Sequence, residues 1–206
     1  MSDGSLVLAS GSPRRASLLS MLGVEFEVLA AELDERRLPD ESPAAYAERT
    51  AREKASAVAL RRPGSVVLAA DTIVVLDGQV LGKPVDERGA VDMLLRLQGR
   101  DHVVRTAVAV ADPAGRVRSG VESTRVVFRA FDEATALAYA ATGEPLDKAG
   151  AYGIQGYGAT LVEAIDGDFF AVMGLPIVRT IRLLEEAGWR YHFRSPRPAA
   201  DVVPGR

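Results

Sequence analysis

The chain reads as an α/β fold in which helices flank a mixed, twisted sheet, and three features of its pattern say so. Apolar, β-branched runs alternate with segments of helical period along most of the length. The helical segments carry matching end signals, with Ser-Pro at starts and Gly at stops. Asp112-Pro113-Ala114-Gly115 stands between two β-branched runs, which makes an antiparallel hairpin there and excludes a purely parallel sheet.

Taken in order, Leu6-Val7-Leu8-Ala9 places a buried strand at about 5–10. Ser12 and Pro13 then sit where the N-cap and first residue of a helix belong, at about 13–22, and Gly23 stops it. A strand at about 25–30 is followed by a helix at about 43–61 that opens on Ser42-Pro43. A long strand at about 65–77 precedes a helix at about 87–98, closed by Gly99. The hairpin strands fall at about 102–111 and 116–129, followed by a helix at 132–142, a strand at 159–165 and a helix at 173–188 that ends at Gly188. There is no internal repeat of fixed period. One domain is expected over residues 1–194, with 195–206, which hold three prolines and little apolar material, as a flexible C-terminal tail.

Composition narrows the function classes. The 206 residues suffice for one sizeable core, with two half-domains around a cleft as an open arrangement. A formal net charge of −3, from 25 basic and 28 acidic residues, argues against coating a nucleic-acid polymer by bulk electrostatics, so any anion site must be local. The chain has no cysteine, which excludes disulfides, zinc-thiolate sites, iron–sulfur clusters and thiol nucleophiles. No uncharged apolar run approaches the roughly 20 residues a membrane span needs, and a cytoplasmic protein with no membrane partner is expected.

Several short segments carry candidate chemistry. At Ser10-Gly11-Ser12-Pro13-Arg14-Arg15, free N–H groups of a helix start and two guanidinium forks converge, a combination suited to a polyanion and also compatible with a capped turn whose arginines are solvated. Asp71 is a lone acid inside Val66-Val67-Leu68-Ala69-Ala70-Asp71-Thr72-Ile73-Val74-Val75-Leu76. Buried, it needs a partner, which marks it as a general base or metal ligand unless it caps its own backbone at a bulge or turn. The loop Glu32-Leu33-Asp34-Glu35-Arg36-Arg37 offers oxygen ligands for a hard cation, or is simply solvated. In Ala51-Arg52-Glu53-Lys54-Ala55 the helical period puts Lys54 on the side of Ala47, Thr50 and Val58, from which it reaches a cleft or snorkels outward.

Gly78-Gln79-Val80-Leu81-Gly82-Lys83-Pro84 is not a P-loop, because position 77 is Asp and proline follows the lysine, but Lys83 still offers a fixed positive charge to phosphate. Asp147-Lys148-Ala149-Gly150-Ala151-Tyr152-Gly153-Ile154-Gln155-Gly156-Tyr157-Gly158 lacks the dinucleotide fingerprint. Its glycines suit close approach to a ligand, and the Gln155 amide both donates and accepts toward a base edge. Val172-Met173-Gly174-Leu175-Pro176 reads as a helix start or a ligand contact. His102 and His192 have no metal-ligand spacing and read as structural or exposed. A Ser–His–acid triad has no G-x-S-x-G support.

The motifs at 10–15, 51–55, 70–72, 82–84, 147–156 and 174–176, with Glu35, stand in the order and spacing of the Maf family, which this chain resembles from about residue 5 to 190. The resemblance implies a fold like that of inosine triphosphate pyrophosphatases, with two lobes around a central cleft, often as a homodimer. It implies cleavage of a nucleoside triphosphate between the α- and β-phosphates, giving a monophosphate and pyrophosphate with a divalent cation such as Mg²⁺ or Mn²⁺. By the same resemblance Asp71 is the catalytic base and a metal ligand, Glu35 an acid near the metal, and Ser10, Arg15, Lys54 and Lys83 the phosphate-binding set. Arg14, Thr72 and Gln155 match the specificity positions of the branch acting on dTTP and UTP, where the 7-methyl-GTP branch typically carries Trp, Gln and Glu. The competing readings are a 7-methyl-GTP pyrophosphatase and a nucleotide-binding regulator of septum formation.

Overall fold

The computed structural model describes residues 5–193, so the tail expected at 195–206 lies outside the described residues. The elements run β1 (Leu6–Leu8), α1 (Pro13–Met21), β2 (Glu27–Val28), α2 (Pro43–Arg61), β3 (Val66–Leu76), β4 (Gln79–Leu81), α3 (Glu87–Leu97), β5 (Asp101–Ala111), β6 (Val117–Phe128), α4 (Glu133–Ala140), β7 (Val162–Asp166), α5 (Phe169–Met173) and α6 (Ile177–Glu186). Short 3-10 turns cover Ala149–Ala151 and Gly156–Leu161. The strands form one sheet in the order β2-β1-β3-β5-β6-β7, with β4 folded back on β3. β1 is parallel to β2 and β3, whereas β3, β5, β6 and β7 are antiparallel neighbours, so the sheet is mixed as expected. No helix of the described residues is long and apolar enough to cross a membrane.

The hairpin at 112–115 forms as the turn residues require. The Asp112 carboxylate accepts the N–H groups of Ala114 and Arg116, each at 3.0 Å, and Ala111 pairs with Val117 across the turn. Three details depart from expectation. Ser12 stands at the N-cap of α1 as expected, but its side chain makes no capping bond; its own N–H donates to Ser10 Oγ at 3.3 Å. The segment 173–188 is not one helix: Gly174 closes α5 in the left-handed region and Pro176 caps α6, so 174–176 joins two helices. No strand is expected between 77 and 87, yet β4 forms there: Asp77 and Gly78, at φ 50° and 77°, make a tight two-residue turn of the kind an Asp-Gly pair favours.

Strand alternation decides what each side chain meets. Val67, Ala69, Ile73 and Val75 of β3, with Ala107, Ala109 and Ala111 of β5, face α2 and pack against Ala47, Ala51, Ala55 and Val58. On the other face the long strands contribute to two separate clusters. Leu68, Ala70, Val108 and Val110 pack with Leu18 and Leu19 of α1 and Leu183 and Leu184 of α6. Val74, Leu76, Val104, Val126 and Phe128 pack with Leu94 and Leu97 of α3 and with Ala136 and Ala140 of α4. Thr72 and Thr106, paired side by side in the register, lie between these clusters. The two halves expected around a cleft are thus two apolar clusters on one shared sheet, parted by a polar step.

The small inner stripe of α2 sets how near the helix lies to the sheet. Ala51 is fully buried, so Ala51→Leu should overpack this seam and destabilise the fold by about 1–3 kcal/mol, measured by urea unfolding.

Candidate active site

A cleft of about 840 Å³ opens where β1 ends, where β3 passes its midpoint, and where the loop after α4 returns to the sheet. Ser10, Arg14, Arg15, Glu35, Lys54, Asp71, Thr72, Lys83 and Gln155 all line it. Residues spread over most of the chain are therefore brought to one space.

Asp71 lies in the uninterrupted middle of β3, paired with Ala107 of β5, so it is not a turn residue capping its own backbone. Being at an odd position it faces α2, and Lys54 meets it there: Nζ donates to Asp71 Oδ1 at 2.9 Å, with the two side chains 11% and 10% exposed. The same Nζ lies 2.9 Å from Glu35 Oε1, a carboxylate that is 44% exposed. Lys54 thus faces inward and does not snorkel to solvent. Glu35 owes its place to α2 as well, because the Tyr46 hydroxyl donates to the Glu35 carbonyl at 2.7 Å. Burial, and then the charges of Asp71 and Glu35, hold the Tyr46 phenol against ionisation, so it remains a donor.

Among the described residues no three acidic or histidine side chains gather around a metal-sized space. Glu35 and Asp71 form a two-carboxylate set bordering an open cleft. That donor chemistry fits a hard divalent cation such as Mg²⁺, which is commonly held by one or two carboxylates, phosphate oxygens and water.

The opposite face of β3 is organised by Arg15, which is buried. Its Nε donates to the Gly174 carbonyl at 2.8 Å, one terminal nitrogen to Ser10 Oγ at 2.9 Å and the other to Thr72 Oγ1 at 3.0 Å. Burial draws its pKa below the usual arginine value, opposed by the nearby charge of Asp71. A guanidinium carries five N–H groups, so donors remain for a ligand after these three bonds. Thr72 Oγ1 also bonds Thr106 Oγ1 at 3.0 Å, and Thr106 in turn donates to the Ala171 carbonyl at 2.7 Å. The Thr72 hydroxyl proton is therefore directed to Thr106.

Thr106 was missed in the sequence although it carries the signal that marks Asp71, a polar residue inside an apolar strand. Gly174 and Ala171 contribute only carbonyls, which no side-chain pattern reveals. Arg14 reaches across the cleft mouth to Asp147 at 3.3 Å, and Lys83 is exposed at its rim. Gln155 is exposed and borders the cleft from the glycine-bearing loop.

Behind that loop His102 is buried, with Nε2 2.7 Å from the hydroxyl of Tyr152 and Phe128 stacked edge-on against both rings. Tyr152 itself lines the cleft. Burial pushes His102 down to about 4, with Asp101 opposing, so the ring is neutral at pH 7. His102 is structural, as read from sequence, and His192 is exposed. Since the folded ring titrates below its unfolded value, unfolded chains bind more protons between about pH 6.5 and 4, and stability falls as pH drops through that window. Urea unfolding at pH 7 and 4.5 should show this loss, and His102→Gln should flatten it; equal slopes for the two proteins would exclude His102 as its source.

Residues 5–187 match the family described as Maf-like protein. A dTTP/UTP pyrophosphatase of Syntrophomonas wolfei subsp. wolfei is 51% identical to this chain over 183 residues, covering 88% of this chain and 96% of that protein. A dTTP/UTP pyrophosphatase of Escherichia coli is 51% identical over 181 residues, covering 87% and 91%. Among solved structures, the Staphylococcus aureus Ham1 protein aligns with a TM-score of 0.48 at 14% identity, over 77% of this chain and 79% of that one.

Proposed function

This chain belongs to the Maf-like family, and on that premise we propose that it is a nucleoside triphosphate pyrophosphatase that hydrolyses dTTP and UTP to the monophosphate and pyrophosphate. The observation that carries the reading is 51% identity to a dTTP/UTP pyrophosphatase over 96% of that protein's length. The cleft supports it, since cationic Arg15, Lys54 and Lys83 border the same space as Glu35 and Asp71.

In this reading the triphosphate lies along the cleft with its phosphates toward Lys54, Lys83 and Arg15. These charges neutralise the phosphate oxygens and the charge that develops on departing pyrophosphate. Lys54 holds Asp71 through Oδ1, and Asp71 orients a water and takes its proton as the water attacks the α-phosphorus. The bond from that phosphorus to the bridging oxygen breaks, and pyrophosphate leaves. Glu35 and Asp71 are the residues that would hold a divalent cation, Mg²⁺ or Mn²⁺. Such a cation neutralises phosphate charge when bound.

Arg14, Thr72 and Gln155 supply the pyrimidine preference in this reading, with Gln155 offering its amide to the base edge. The family resemblance extends the proposal to a homodimer that works in the cytoplasm. Sedimentation at micromolar concentration tests the dimer.

Product analysis with Mg²⁺ or Mn²⁺ tests the reaction. UMP or dTMP with pyrophosphate is expected, at rates well above those on 7-methyl-GTP. Single orthophosphate release would overturn the cleavage site, and faster turnover of 7-methyl-GTP would overturn the pyrimidine branch. Absence of turnover on any nucleotide would favour a binding protein. Asp71→Asn keeps the shape of the side chain and an oxygen for Lys54, and Glu35 still offers Lys54 a carboxylate, so the protein should fold with a lowered thermal transition, while kcat, measured well below that transition, falls by about 10²–10⁴-fold.

A further inference from the structure

Gln155 sits in a segment rich in glycine, yet the backbone on both sides of it is tied to one carboxylate. Glu144 Oε2 accepts the Tyr157 N–H at 2.9 Å, and Oε1 accepts the Gly158 N–H at 3.0 Å and the Tyr139 hydroxyl at 2.8 Å. The Tyr139 hydroxyl oxygen in turn accepts the Gly153 N–H at 3.1 Å. The chain is thus held two residues before Gln155 and two residues after it by a single connected set of hydrogen bonds. Burial opposes ionisation of Glu144, but the Gly158 and Tyr157 amides, the Tyr139 hydroxyl and Lys148 outweigh it and hold the carboxyl below the usual range.

The glycines of the segment answer to this acid. Gly156 is at φ +68°, and a Cβ there would lie 2.5 Å from Glu144 Oε2. A Cβ on Gly158 would lie 2.3 Å from the Gly153 carbonyl oxygen and 2.6 Å from the Tyr139 hydroxyl. Only a backbone without side chains closes so tightly around a carboxylate. The acid and its tyrosine share an anchor, because the Glu144 N–H donates to Thr142 Oγ1, which donates to the Tyr139 carbonyl. Neither Glu144 nor Tyr139 lines the cleft, whereas Gln155 does.

We propose that Glu144 is a positioning residue for base selection: with Tyr139 it fixes the backbone on either side of Gln155 and so sets the direction from which the Gln155 amide meets the pyrimidine ring. This rests on the assignment of Gln155 to base recognition made above. A base-edge hydrogen bond discriminates only when donor and acceptor are held in place, since ordering a loose loop on binding offsets the gain. The phosphate end, built from Lys54, Lys83 and Arg15, lies on other elements and does not depend on this tether. A carboxylate is needed here because each of its oxygens faces an N–H donor; an amide would set its own NH₂ against one of them.

Glu144→Gln is therefore a near-isosteric probe. Steady-state kinetics with UTP and CTP, run on wild type, E144Q, Y139F, Q155A and E144Q/Q155A, make the test. E144Q should raise KM for UTP about tenfold, the scale of a lost hydrogen bond to a charged group, keep kcat within about twofold, and lower the UTP-to-CTP ratio of kcat/KM about tenfold. Y139F, which keeps the acid but frees Gly153, should shift the ratio in the same direction by less. In the Q155A background the effect of E144Q on the ratio should vanish, as expected for residues acting through one another.

A wild-type ratio in E144Q, or an equal loss of ratio with and without Gln155, overturns the proposal, as does a fall in kcat and thermal stability with the ratio unchanged. Wild-type protein that turned over neither UTP nor dTTP would instead overturn the functional reading. Amide hydrogen exchange would then decide on the tether alone: faster exchange at Gly153, Tyr157 and Gly158 in E144Q is expected, and unchanged rates overturn it.

Discussion

The buried ion pair of Lys54 with Asp71 is the constraint to which the rest of the site is fitted. An acid in the middle of a central strand and an ammonium on the inner face of a helix are each only about a tenth exposed, at the floor of the cleft, so water alone stabilises their charges poorly. Each is tolerable because the other stands 2.9 Å away. Removing one partner of a buried pair costs about 3–5 kcal/mol when the survivor is left uncompensated; here the loss of Asp71 leaves Lys54 with the half-exposed Glu35, and the loss of Lys54 leaves Asp71 without a cation. The contact also demands that α2 lie close to β3, and alanine at 47, 51 and 55 permits that approach. Glu35 adds less binding energy to Lys54, being nearly half exposed, but it faces the same nitrogen from the cleft side.

On the other face of β3 the constraint takes a different form. There the apolar lining is interrupted once, at Thr72 and Thr106, and Arg15 fills the step with bonds to Ser10, Thr72 and Gly174. A hydrophobic cluster cannot continue through a buried guanidinium without leaving it unpaired, so the core divides in two at this level. The cleft follows from that division. Asp71 and Thr72 are adjacent in sequence and point to opposite faces, so one strand carries the acid that meets α2 and the hydroxyl that meets α1.

Much of this was legible because single residues broke a pattern. Asp71 stood out in an apolar strand, Lys54 fell on the inner side of a helical period, and Asp112-Pro113-Ala114-Gly115 announced its hairpin. The misses have physical reasons. β4 is three residues long, too short for alternation to register, and its one clear signal was the Asp77-Gly78 pair, which had been weighed only against a phosphate-binding loop. The division of 173–188 escapes a reading of Gly174-Leu175-Pro176 as a helix start or a ligand contact, because Gly also ends helices. Arg15 was expected to serve phosphate, and its bonds to three separate segments could not be foreseen, because two of its acceptors lie far away in the chain and one is a backbone carbonyl. Glu144 went unnoticed because two of its three partners are backbone N–H groups, which leave no trace in side-chain type, and the third, the Tyr139 hydroxyl, stands in a helix with nothing in the pattern to single it out.

The two ends of the cleft are built on different principles, and the difference bears on how selective the site is able to be. At the phosphate end, charges on α1, α2 and the connection after β4 act over several ångströms, so small errors of placement cost little. At the other end, a hydrogen bond to a base edge weakens steeply with angle, so placement is nearly everything. That end has no strand or α-helix under Gln155, only a short 3-10 turn from Gly156 and glycine-bearing backbone drawn around a carboxylate. Rigidity is supplied by main-chain N–H groups bonded to the Glu144 carboxylate and the Tyr139 hydroxyl more than by regular secondary structure. A site so divided is able to change its base preference through the loop while the phosphate machinery on the sheet and α2 stays as it is. Discrimination between bases is then bounded by the few kcal/mol that one or two well-placed hydrogen bonds provide.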